Sequence, residues 1–143
     1  MASGTHYRGG LAVYTQADQY GQSAYTGFPP GDCPATSTTM GTDTTPTITV
    51  TYLARVVVPV NADLTGIALL NGSAVAGNVH LGLFNGKTGA LVAETASTAQ
   101  AGTAAYQKVP VTRIYSAIGP GLYFIGVQCS SASARFRSHA VGV

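Results

Sequence analysis

The residues able to do acid, base or nucleophilic chemistry are few. Five carboxylates, Asp18, Asp32, Asp43, Asp63 and Glu94, are scattered over 143 residues with three histidines, His6, His80 and His139, and two cysteines, Cys33 and Cys129. Glycoside hydrolysis needs two carboxyl groups held at a set separation, and no local spacing here provides such a pair. A zinc site draws on histidines or cysteines recurring within a few residues, yet no histidine has a second at i+2 or i+4. The Gly-x-Ser-x-Gly elbow of serine hydrolases is absent. Gly9-Gly10 does not follow a strand and open a helix, as a phosphate-binding loop would. Asp43 and Asp63 could join backbone carbonyls around calcium, but nothing has the acidic spacing of a dedicated calcium loop. His80 falls on a strand, opposite its apolar face, and reads as a surface or interface residue. The sequence therefore predicts no catalytic residue, no cofactor, no metal and no enzyme.

The elements that would carry any site follow from composition and periodicity. Apolar residues make up 45% of the chain, enough for a core in one domain of this length. Charged residues make up only 8%, against about 25% in an ordinary soluble protein. Disorder needs high charge and low hydrophobicity, and surface helices need Glu and Lys, so both are disfavoured. A β-protein with a surface of hydroxyls and small residues remains. Such a surface is poorly defended against association, and much of it is expected to be covered by partners. The net charge of +2 is too small and dispersed for a nucleic-acid footprint. Arg135 and Arg137 read as alternate side chains on one face of an exposed strand.

Strand signals dominate from residue 47 onward. Residues 47–60 alternate and then contain Val56-Val57-Val58, a triplet that suggests burial on both faces. Residues 64–70 run into Asn71-Gly72, a strong short-turn signal. Residues 78–84 put Val79, Leu81 and Leu83 on one face. Residues 85–89 form a hairpin loop whose two glycines suit positive φ, and residues 90–95 return from it. Residues 105–112 form a strand in which Pro110 marks an edge or bulge. Gly119-Pro120-Gly121 leads into residues 122–129, where Tyr123, Ile125 and Val127 point inward. A last strand covers residues 134–137. The expected fold is all-β: an antiparallel β-sandwich over residues 46–143, foremost a jelly roll, with a closed barrel as the runner-up.

Residues 1–45 read differently. They are polar and glycine-rich, with aromatic residues Tyr7, Tyr14, Tyr20, Tyr25 and Phe28, and they lead into a Thr-rich stretch that favours extended chain. This segment is predicted to be an extended N-terminal arm, and its five aromatics are the candidate contacts to neighbouring subunits, since tyrosine gives large area with a polar tip. The alternative is an arm folded back to cover an edge strand of its own sandwich. Residues 1–10 lack the apolar run of a secretory leader, and no run approaches the roughly 20 apolar residues of a membrane helix. Cytosolic synthesis and no membrane are expected, with Cys33 and Cys129 as unbonded thiols.

Several segments in order carry a resemblance. Residues 64–72 (LTGIALLNG), 80–86 (HLGLFNG), 89–93 (GALVA), 119–128 (GPGLYFIGVQ) and 134–137 (ARFR) resemble the β-modules of tailed-bacteriophage virion proteins. The resemblance covers about half of the chain and implies a non-enzymatic structural role as a head decoration (cement) protein, related to head-fibre and tail-fibre modules. It also implies a homotrimer on the capsid surface, with the major capsid protein and copies of itself as partners, and it carries over no catalytic residue. A fibre would need a shaft, which the sequence does not show. The competing expectation is a carbohydrate-binding adhesion module, which exposed aromatic platforms on a sheet would favour; a minor hydrolase comes third.

Overall fold

The computed structural model describes residues 11–15, 24–26 and 42–138, the first two segments through their backbone only. Eleven strands follow one another: β1 (Leu11–Thr15), β2 (Ala24–Thr26), β3 (Thr42–Thr44), β4 (Tyr52–Val58), β5 (Ala62–Leu70) and β6 (Asn78–Asn85). They continue with β7 (Leu91–Glu94), β8 (Thr98–Ala99), β9 (Tyr106–Ala117), β10 (Gly121–Cys129) and β11 (Phe136–Ser138). There is no helix among the described residues. Every strand pairing is antiparallel.

Two sheets form the body. One has the order β2-β1-β5-β9, the other β4-β10-β6-β7 with β8 also on β6, and β3 pairs with β11. Alternation decides which side chains meet between them. On β6 and β10 the predicted set Val79, Leu81, Leu83, Tyr123, Ile125 and Val127 is buried throughout, and the register aligns Val127 with Leu81 and Ile125 with Leu83. Ile67 and Leu69 of β5 and Val109 of β9 join the same cluster from the opposite sheet. Phe136 closes one end, its ring edge-on to Tyr52 at a centroid distance of 5.2 Å. The result is a β-sandwich, as expected.

Several local expectations are corrected. Only residues 52–58 of the stretch 47–60 form a strand, because Val50 N–H turns back to the Thr47 carbonyl at 3.0 Å. Val57 is 54% exposed, so the valine triplet alternates instead of being buried on both faces; β4 lies at a sheet margin. The strand buried on both faces is β5, where Ile67, Ala68, Leu69 and Leu70 are all inaccessible. Of the two hairpin glycines, only Gly89 has positive φ. Gly86 is required for a different reason: a Cβ there would stand 2.5 Å from the Leu122 carbonyl oxygen.

Asn71-Gly72 does not form a hairpin turn either. Asn71 is fully buried and bridges to Phe136. Its side-chain amide donates to the Ala101 carbonyl at 2.6 Å and to Gln107 Oε1 at 3.2 Å, and it accepts from Gln100 Nε2 at 2.9 Å. Buried amides need this degree of satisfaction, so the pair that reads locally as a turn serves as a polar tie inside the fold.

The segment expected as an arm contributes to the body. β1 pairs with β5 from Leu11 opposite Leu69 to Thr15 opposite Leu64, and β2 lies on its far side. Without β1, β5 would present an open apolar edge, which natural sheets cover. Leu11–Thr15 thus lies in one sheet with β5 and β9. Pro110 sits where expected, on the marginal strand β9 and beside a register shift against β5.

Leu81 offers a direct check on the core. Leu81→Ala should lower unfolding free energy by about 2–5 kcal/mol, as buried Leu→Ala changes do, measured by urea denaturation. A loss below about 0.5 kcal/mol, the range of surface changes, would contradict this register.

Candidate interaction face

Among the described residues, the ionisable candidates for chemistry meet only as the surface pair His80 and Glu94. Asp63 accepts the Ser116 hydroxyl at 2.6 Å at the mouth of an open hollow of about 280 Å³ lined also by Asn61 and Ile118. Asn61 Oδ1 is occupied by the Gly119 N–H at 2.9 Å. Cys129 is buried among apolar residues, and that desolvation pushes its thiol up, which keeps it protonated. Among the described residues no three of His, Cys, Asp or Glu gather as a metal would require. Asp18, Asp32, His6, His139 and Cys33 lie outside the described residues, as do Tyr7, Tyr20 and Phe28. Tyr14 and Tyr25 lie on β1 and β2, in register opposite Ala24 and Val13.

Asp43 holds a corner instead of a cation. It pairs in register with Arg137. One carboxylate oxygen accepts the Ser73 N–H at 3.0 Å, and the other accepts the Ser73 hydroxyl. Arg137 Nε stands 3.9 Å from it. A Cβ on Gly72 would collide with both Asp43 and Arg135 Cβ, so only glycine lets these groups close up. Burial alone would push this carboxyl up, but the two Ser73 bonds and the charges of Arg137 and Arg135 outweigh it and hold it below its ordinary 3.8. The expectation of an exposed strand for Arg135 and Arg137 is therefore corrected: the Arg137 side chain is mostly covered, because β11 packs on β3 and against the end of β5.

What stands out is apolar. The outward positions of the β4-β10-β6-β7 sheet should be polar if they faced only water. Instead Leu53 is 60% exposed, Leu91 49% and Leu122 40%, in company with Val57. Phe124 and Phe84 lie between them, half-buried and opposite one another in register. Gly82 and Gly126, also opposite one another, form a shallow bed under the Phe84 ring. A Cβ on Gly126 would come 2.7 Å from Phe84 Cε2, and one on Gly82 would come 2.9 Å from Leu91 Cδ1. Pairing of an aromatic with sheet glycines in this way restores the contact that the glycines lack.

Charges on this face are few and sit at its flanks. Arg55 projects from β4, next to Phe124 in register. On the opposite flank His80 Nε2 meets Glu94 Oε2 at 3.2 Å, with both side chains about half exposed. His80 is a surface residue, as the alternation predicts. Sequence reasoning did not pick out Leu53, Val57, Phe84, Leu91, Leu122 and Phe124 as a group. The signal was present: both phases of β4 and β10 carry apolar residues, which a strand with one wet face does not need.

No protein-family model, no curated protein and no solved structure matches the chain. The class of molecule defined by the structure is therefore its architecture: an antiparallel β-sandwich with an exposed apolar sheet face.

The Asp43 corner predicts an acid dependence. A carboxyl with a depressed folded pKa contributes stability that is present above the unfolded value, here about 3.8, and is lost as pH falls through the folded one. Asp43→Asn should reduce stability at pH 7 by about 1.5–3 kcal/mol, the range for hydrogen bonds to a charged acceptor. The gap between variant and wild type should narrow in urea titrations as the pH falls below 3.8 and through the lower folded value; an unchanged gap would refute the assignment.

Proposed function

We propose that this chain is a non-enzymatic structural protein of a bacteriophage particle, a decoration (cement) protein that binds the outside of the head and stabilises it. The observation that carries the reading is the exposed apolar face of Leu53, Val57, Leu91 and Leu122 around the Phe84 and Phe124 rings. Apolar surface of this kind marks a site of association. The chain's 8% charged residues give the rest of its surface little to repel a neighbour. The resemblance of residues 64–137 to virion β-modules supplies the kind of assembly, with the major capsid protein and further copies of the chain as partners, in a homotrimer.

A jelly roll is the finer fold in this proposal. It draws support from the interleaved chain path: β4, β5 and β6 alternate between the sheets, as do β7, β9 and β10. The sequence-level contacts Tyr7, Tyr14, Tyr20, Tyr25 and Phe28 remain proposed anchors to the capsid. Deleting residues 2–45 would take β1 from beside β5, so it would test folding before binding.

Carbohydrate binding is the second reading, because Phe84 and Phe124 give the sheet an aromatic surface on which a sugar ring could stack. Its polar groups are sparse: Arg55, His80, Glu94 and Gln128, the last already near the Ile48 carbonyl at 3.5 Å.

The test is a phage that carries this sequence, compared with the same phage after loss of the gene. Electron microscopy should show surface density on the head only in the parent, and the deleted particles should release DNA at a lower temperature. Heads identical in density and heat resistance would overturn the capsid reading. Millimolar affinity for an oligosaccharide by calorimetry, lost on Phe84→Ala, would favour the second.

A further inference from the structure

The arrangement of charge on the apolar face says what can cover it. One row across the sheet runs Arg55, Phe124, Phe84, Leu91 in register, and the adjacent outward row runs Leu53, Gly126, Gly82, Glu94. Arg55 and Glu94 thus stand on opposite flanks, β4 and β7, one pleat apart along the strands. Between them the surface is uncharged. Arg55 has no ion pair among the described residues, and only one oxygen of Glu94 is engaged by His80.

A face with an apolar centre, a cation on one flank and an anion on the other is complementary to itself. Rotation about an axis parallel to the strands brings the β4 flank of one copy against the β7 flank of the next. Repeating the rotation closes the set, each contact being the same pair of surfaces. Nothing in the overall balance opposes it, since the net charge is only +2.

We infer that the outer face of the β4-β10-β6-β7 sheet is where one copy of this chain meets another, with Arg55 opposite Glu94 of the neighbouring copy. The inference rests on the reading of the chain as an assembly protein and adds which surface the copies share. The charges set orientation, and the apolar rows between them supply the adhesion.

Light scattering and sedimentation of the full chain test this. The wild type should have the mass of two or more associated chains of 14.5 kDa each. Arg55→Glu and Glu94→Arg, each placing like charges face to face, should raise the self-dissociation constant about tenfold or more. Both side chains are exposed, so circular dichroism should be unchanged. The double reversal, Arg55→Glu with Glu94→Arg, should restore the wild-type mass at the same concentration. A monomeric wild type, single reversals without effect, or a double reversal that stays dissociated would each overturn the inference. Binding of the variants to phage heads separates the two readings. A multimer rescued by the double reversal that binds no head keeps this contact and removes the capsid role. A monomer that still decorates heads does the opposite, and a glycan or another protein on an unassociated face would also overturn the self-contact.

Discussion

The rest of the structure depends on the need to pair β5 on both edges. From Gly66 to Leu70 this strand is buried on both faces as well, so its N–H and C=O groups there are shielded from water, and an unpaired buried backbone group is costly. β9 supplies one edge and β1 the other. That requirement draws the N-terminal segment into the sheet. It also explains why Pro110, which has no N–H to give, sits on β9 at a shift in register and not on β5.

A second consequence is a division of roles between the two sheets. The β5 sheet is thick and inward-looking, with both faces of its central strand covered. The β10 sheet buries one face in the common core and leaves its other face apolar and open. Polar ties hold the ends: the buried amides of Asn71 and Gln100 on one loop set, and the Asp43 carboxylate against Ser73 and Arg137 near the β3–β11 pair. The two amides and the carboxylate find their hydrogen-bond partners within the fold, which is why none of them reads as a reactive group despite partial burial.

How much of this was legible in the sequence differs by scale. The inward set of β6 and β10 was legible because strict alternation leaves one register that hides every large apolar side chain. The all-β class was legible because the residues that stabilise surface helices are almost absent. Strand neighbours were not: nothing local in Leu11-Ala12-Val13 says that it lies beside Leu69-Ala68-Ile67. Asn71-Gly72 misled for the same reason, since its role is set by Gln100 and Gln107, about thirty or more residues away. The valine triplet misled because burial on both faces belongs to a strand's place in a sheet, and β4 is marginal. The apolar outer face was written in the sequence but visible only when β4, β10 and β6 were aligned, because its rows run across strands and not along any one of them.

The longest strand does not belong to one layer alone. Between Pro110 and Tyr115, β9 leaves β5; there Val111 bridges to Thr95, and the Thr112 hydroxyl donates to the Glu94 carbonyl at 3.1 Å. Two plates held only by a greasy interlayer can slide, because apolar contact has no preferred direction. Hydrogen bonds do have one. A strand stitched to both plates turns any sideways slip into tension across bonds that must break together. The sandwich therefore resists shear as a single laminate, with β9 as its seam.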